Sequence, residues 1–117
     1  MKLRLLALFL LAGITAAHAH AFLDSAEPAV GSTVHSPGMV KIWFTRQLKT
    51  EGSSIAVFNP SGAEVDGKTS AVDPKDRFLM SVAVPKLPPG LYKVGWNAVC
   101  LGDGHHTTGS FTFTVAK

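Results

Sequence analysis

From residue 20 onward, apolar side chains recur at every second position, and turn residues interrupt them about every ten residues. In "MVKIWFT" (39–45) the pattern places Val40, Ile42 and Phe44 on one face. "DRFLMSVAV" (76–84) does the same with Phe78, Met80, Val82 and Val84, and "LYKVGWNAV" (91–99) with Tyr92, Val94, Trp96 and Ala98. "GSFTFTV" (109–115) alternates most cleanly, with Phe111, Phe113 and Val115 inward and Ser110, Thr112 and Thr114 outward. "HAFLDS" (20–25), "SSIAVFN" (53–59) and the short "AEVDG" (63–67) complete seven predicted strands. Between them, "AEPAVGSTVHSPG" (26–38), "NPSG" (59–62) and "PKLPPG" (85–90) carry the Pro and Gly residues of loops. No long window has a helical period. Seven short strands, most with one apolar face, predict an all-β, seven-stranded antiparallel β-sandwich, with Greek-key connections as the default.

The first 19 residues break this pattern. Lys2 and Arg4 precede the apolar run "LLALFLLAG" (5–13), and "AHA" (17–19) supplies small residues at −3 and −1 of a cleavage site. This is the layout of a secretory signal peptide. The run is shorter than the ~20 apolar residues a membrane span needs. Two other cleavage sites compete: "TAA" (15–17) would leave His18 first, and "AHA" (19–21) would leave Phe22 first. Cleavage after Ala19 is favoured. It makes residues 1–19 the signal peptide and 20–117 a single exported domain that begins with His20 and does not span the membrane. Removing Lys2 and Arg4 takes the formal charge from +3 to +1, so the mature surface gives no argument for a nucleic-acid partner. The single cysteine, Cys100, excludes an internal disulfide, and the domain must be held by packing.

The chemistry-bearing stretch is "CLGDGHHTTG" (100–109), between the last two strands. In an extended chain Asp103 and His105 share a face and His106 takes the other. Asp103 and His105 form half of a metal site; the rest must come from His20, His35 or another carboxylate. As a first residue, His20 offers its α-amine and near ring nitrogen together, closing a chelate ring on one ion. Those two nitrogens, a third from His105 and an oxygen from Asp103 make a tetragonal N,O set that suits Cu(II). Zinc accepts the same residue types but prefers a tetrahedron. Taken alone, "DGHH" also reads as an ordinary exposed loop, and His20 as a bystander near a cleavage site. Cys100 shares parity with Trp96 and Ala98 and reads as core. Met39 and Met80 lie in separate strands and read as packing, His35 as an exposed turn residue. There is no phosphate loop, nucleophile elbow or helical His pair, so a non-enzymatic protein is expected.

"LPPGLYKVGWNAVCLGDGHHTTGSFTFTV" (87–115) resembles the C-terminal signature of the CopC family of periplasmic copper-binding proteins: a PG turn, a Y-x-V-x-W strand, a D-x-H loop, and a Gly four residues after that His. "HAFLDSAEPAVGSTV" (20–34) is similar to the family's mature start, with its leading His and P-x-x-G turn. The resemblance implies a cupredoxin-like or Ig-like Greek-key barrel or sandwich. It implies one Cu(II) per chain on His20, Asp103 and His105, with roles in copper buffering, resistance or delivery. It also implies an inner-membrane copper permease of the CopD type as partner, and a monomer. The Met-rich Cu(I) loop of some family members is missing here, Arg46 stands where an acidic residue is usual, and the spacing from Trp96 to Asp103 is one residue longer than the usual pattern, which predicts a bulge in "CLG". A metal-free Ig-like structural or adhesion module is the alternative.

Overall fold

A computed structural model describes residues 20–117; the expected signal peptide lies outside the described residues. The described chain forms two four-stranded sheets facing each other across one apolar core. One sheet has the order β1 (Leu23–Glu27), β3 (Met39–Phe44), β6 (Leu79–Ala83), β5 (Ala71–Val72). The other has the order β2 (Thr33–Val34), β8 (His106–Val115), β7 (Gly90–Val99), β4 (Ser54–Phe58). With β1 and β2 taken as two halves of one strand divided between the sheets, this is the strand order of an immunoglobulin-type Greek-key sandwich. The division explains why eight strands stand where seven were expected. It also corrects the all-antiparallel expectation, because β2 runs parallel to the end of β8, with Thr33 opposite Thr114.

The period-two pattern located the core well. Val40, Ile42, Phe44, Met80, Val82, Val84, Tyr92, Val94, Trp96, Ala98, Phe111, Phe113 and Val115 are all buried. Phe78 is not, because it precedes β6 and belongs to a turn in which Asp76 Oδ1 accepts its backbone N–H at 3.2 Å. Met39 is also exposed; it opens β3 on the outward face, opposite in parity to Val40. The predicted strand at 63–67 is not one. It touches β4 through a single bridge, Phe58 to Glu64. Asp66 then turns inward, accepting the Val57 N–H at 2.7 Å and the Lys68 N–H at 2.9 Å. A buried carboxylate does the work of a strand backbone there. Tyr92 fixes the "LPPG" corner by donating its hydroxyl to the Pro88 carbonyl at 2.6 Å while its ring stacks on Phe113.

β7 and β8 form the longest hairpin, paired without interruption from Gly90–Val115 to Val99–His106. The ladder ends at Val99, so the "CLG" segment where a bulge was expected lies in the connecting loop and the extra residue is absorbed there. Among the described residues the only shift in the ladders lies between β1 and β3, near Leu23. Both features matter for the end of the sandwich where His20, the β7–β8 loop and Thr45 meet.

Candidate metal centre

The loop from Cys100 to His105 closes on itself. Cys100 N–H donates to the His105 carbonyl and Gly104 N–H to the Cys100 carbonyl, both at 2.9 Å. Gly104 sits at φ +73°, a left-handed conformation that glycine adopts without steric cost. Asp103 Oδ1 accepts the His105 N–H at 3.0 Å, and Asp103 Oδ2 lies 3.3 Å from His105 Nδ1. The two side chains therefore come together through a side-chain-capped turn, not through the strand parity expected for an extended segment. The His105 N–H holds the Asp103 carboxyl below its ordinary range, residual desolvation acts against it, and the Cys100 thiol and the rings of His105 and His20 add to the lowering.

His20 reaches this loop from the other end of the chain. Its ring stacks on that of His105, with centroids 4.5 Å apart and planes inclined by 23°. Its Nδ1 is buried and has no hydrogen-bond partner among the described residues. A buried ring nitrogen left without a partner is costly unless something else satisfies it. The donor atoms are gathered but not closed. Among the described residues no group of three or more His, Cys, Asp or Glu side chains is already arranged around a common point. Two stacked imidazoles donate along parallel planes, so one ring must turn before both meet one ion. In addition, Ala19 precedes His20 in this chain, so the His20 nitrogen is an amide rather than an amine.

The other candidates lie elsewhere. His106 opens β8, and its Nε2 is 3.1 Å from Asn97 Oδ1. His35 lines a separate cleft with Glu27, Met39 and Lys41. Cys100 is buried beneath the loop, as its parity predicted. Beside Asp103 an open cleft of about 550 Å³ is lined by Thr45, Arg46, Gln47, Phe78 and Leu101.

Two features escaped the sequence reading. Thr45 and Thr107 bond to the backbone of residues 20–22, and no local pattern marks either threonine. The Gly of the D-x-H-x-x-x-G motif, Gly109, lies opposite Trp96 in the hairpin. A Cβ there would come within 2.7 Å of Trp96 Cε2, and nearer still to Cζ2. The indole, itself packed edge-on against Phe44 at 5.1 Å, occupies the room the glycine leaves. Gly109→Ala is expected to destabilise the fold by ~1–3 kcal/mol, the usual cost of overpacking. Chemical denaturation followed by tryptophan fluorescence checks this; an unchanged midpoint would contradict the close approach.

The CopC domain model of known protein families matches residues 23–116. The chain belongs to the CopC family. It is 35% identical over 107 residues to copper resistance protein C of Pseudomonas syringae pv. tomato, covering 85% of this chain and 82% of that protein. The crystal structure of CopC from Methylosinus trichosporium OB3b superposes with a TM-score of 0.76 at 29% identity, over 82% of this chain and 93% of that one. PcoC of Escherichia coli, a methionine-rich copper resistance protein, gives 0.70 at 31% identity over 84% of this chain and all of that one. This CopC chain has only three methionines.

Proposed function

We propose that this chain is a periplasmic copper-binding protein that takes one Cu(II) at the cluster of His20, Asp103 and His105. The observation that carries the reading is the buried, unpartnered Nδ1 of His20 held against the His105 ring. Removal of residues 1–19 would convert the His20 nitrogen into an amine. Amine and Nδ1 then form a chelate on one ion, and only a modest proton competition opposes the amine at neutral pH, since free α-amines titrate near ~8. His105 keeps Nε2 for the metal because Nδ1 faces Asp103. A carboxylate behind an imidazole orients the ring and raises its basicity, and for Asp103 to supply an oxygen as well its carboxylate swings from Nδ1 to the ion. Three nitrogens and an oxygen favour Cu(II) among the divalent ions.

Copper here is cargo: the proposed role is copper resistance, with buffering and delivery as the ways a binding protein would provide it. Relatives named copper resistance proteins support this, and a membrane permease of the CopD type is the proposed receiver. The β-sandwich alone would serve a structural module equally well; the orphaned nitrogen is what sets this chain apart from one.

The test is native mass spectrometry of protein exported with its own leader, with and without one equivalent of Cu(II). The expected result is a chain starting at His20 that retains one copper. A chain starting at Phe22, or one that retains none, would overturn the proposal.

A further inference from the structure

We propose that Thr45 and Thr107 are positioning residues for copper, forming a two-sided strap that fixes the His20–Ala21 peptide and so aims the amine and ring of His20; this rests on the copper reading above. The segment 20–22 lies where the two sheets approach each other. Thr45 follows the last residue of β3, in one sheet, and Thr107 is the second residue of β8, in the other. The Thr45 hydroxyl accepts the Phe22 N–H at 3.0 Å and donates to the His20 carbonyl at 3.4 Å. The Thr45 N–H donates to the Phe22 carbonyl at 2.8 Å. From the opposite side the Thr107 hydroxyl donates to the Ala21 carbonyl, in a short contact. Between these two clamps the Ala21 methyl is fully buried in the core.

Every carbonyl from His20 to Phe22 is thereby engaged. That has a chemical consequence for a chain beginning at His20. A terminal residue can chelate a metal in two ways: through its amine and its own carbonyl oxygen, or through its amine and ring nitrogen. The strap turns the His20 carbonyl toward Thr45 and leaves the buried Nδ1 as the atom without a partner. It selects the amine–ring chelate over the amine–carbonyl one. It also orders the terminal residues during folding, so that this ordering does not subtract from the free energy of copper binding. Neither threonine touches the metal in this scheme. Each acts through the backbone of the residue that does.

The experiment compares Thr45→Val, Thr107→Val, Thr45→Ser and Thr107→Ser in protein exported and processed with its own leader, each N-terminus verified by intact mass. Cu(II) affinity is read by chelator competition, the coordination set by electron paramagnetic resonance, and the fold by thermal unfolding of the copper-free protein. The valine variants should bind Cu(II) ~10–100-fold more weakly, the range seen when an outer-shell partner of a metal ligand is lost. Their resonance spectra should shift as nitrogen donors are exchanged for oxygen. The serine variants, which restore the hydroxyl, should recover both affinity and spectrum. A merely structural threonine would move the unfolding temperature and leave the spectrum of bound copper unchanged. Thr45 is exposed, so its valine variant folds and decides the matter even where the half-buried Thr107 variant does not. Wild-type affinity and spectrum in Thr45→Val would overturn the strap while leaving the copper site standing. Failure of the wild-type protein itself to bind Cu(II) would overturn the site.

Discussion

Protein carrying one extra residue before His20 should bind Cu(II) far more weakly than protein that begins at His20. The added residue turns the His20 amine into an amide, which carries no free lone pair at neutral pH. The chelate ring then loses one of its two donors, and the loss acts on a ligand atom itself. It should therefore exceed the ~10–100-fold that follows from removing an outer-shell partner. The strap bonds use carbonyls and N–H groups of residues 20–22, none of which the extension removes, so the fold should persist. Competition against a chelator of known affinity measures the difference, with circular dichroism confirming the sandwich. Equal affinity in the extended and processed forms would eliminate the terminal chelate and return His20 to the role of a packing residue.

The second large effect separates neighbouring histidines. His105→Ala should cost binding on the scale of a lost ligand, whereas His106→Ala should change it by less than ~10-fold. The structure gives the reason. His105 stacks on His20 and faces Asp103, while His106 opens β8 and meets Asn97. The two imidazoles are adjacent in sequence and serve different surroundings. The same titration, run on both variants, checks the assignment. A larger loss from His106→Ala would mean that the loop rearranges on copper binding and presents the other ring.

The core was legible because alternation is a property of the strand itself. Each of Val40, Ile42 and Phe44 is buried for the reason that Lys41 is not. What eluded the pattern was decided by contacts distant in sequence. The segment 63–67 alternates no worse than a short strand, yet Asp66 satisfies the Val57 N–H from a turn and takes the place of a ladder. Strands β2 and β5 are two residues long, too short for any period to show, and they exist because a neighbour's edge was open. Phe78 fell on the right parity and the wrong side of a turn. At the site, the spacing of Asp103 and His105 was visible, but the reason for their proximity was not: the extended segment assumed in the reading is a closed loop around Gly104. The approach of His20, 85 positions away from His105, is seen in the stacked rings; donor chemistry and resemblance to a family both pointed to it, but no local pattern places the two side by side. Thr45 and Thr107 had no signature at all, since a threonine beside a strand is common and its partner lies at the far end of the chain.

The threonine clamps take hold of the terminal segment from opposite sheets. On the proposed ligand set, the ion therefore does more than travel with the protein. It would sit over the seam of a sandwich that has no disulfide to close it, joining His20 to the final hairpin as a clasp joins two leaves of a book. Cargo that binds the folded state alone adds to its stability, by ~2.7 kcal/mol when free ligand stands at 100 times the dissociation constant. A loaded carrier would then resist proteolysis better than an empty one. Copper scarcity would shorten the lifetime of idle copies without a separate regulator, and turnover of the carrier pool would follow the supply of what it carries.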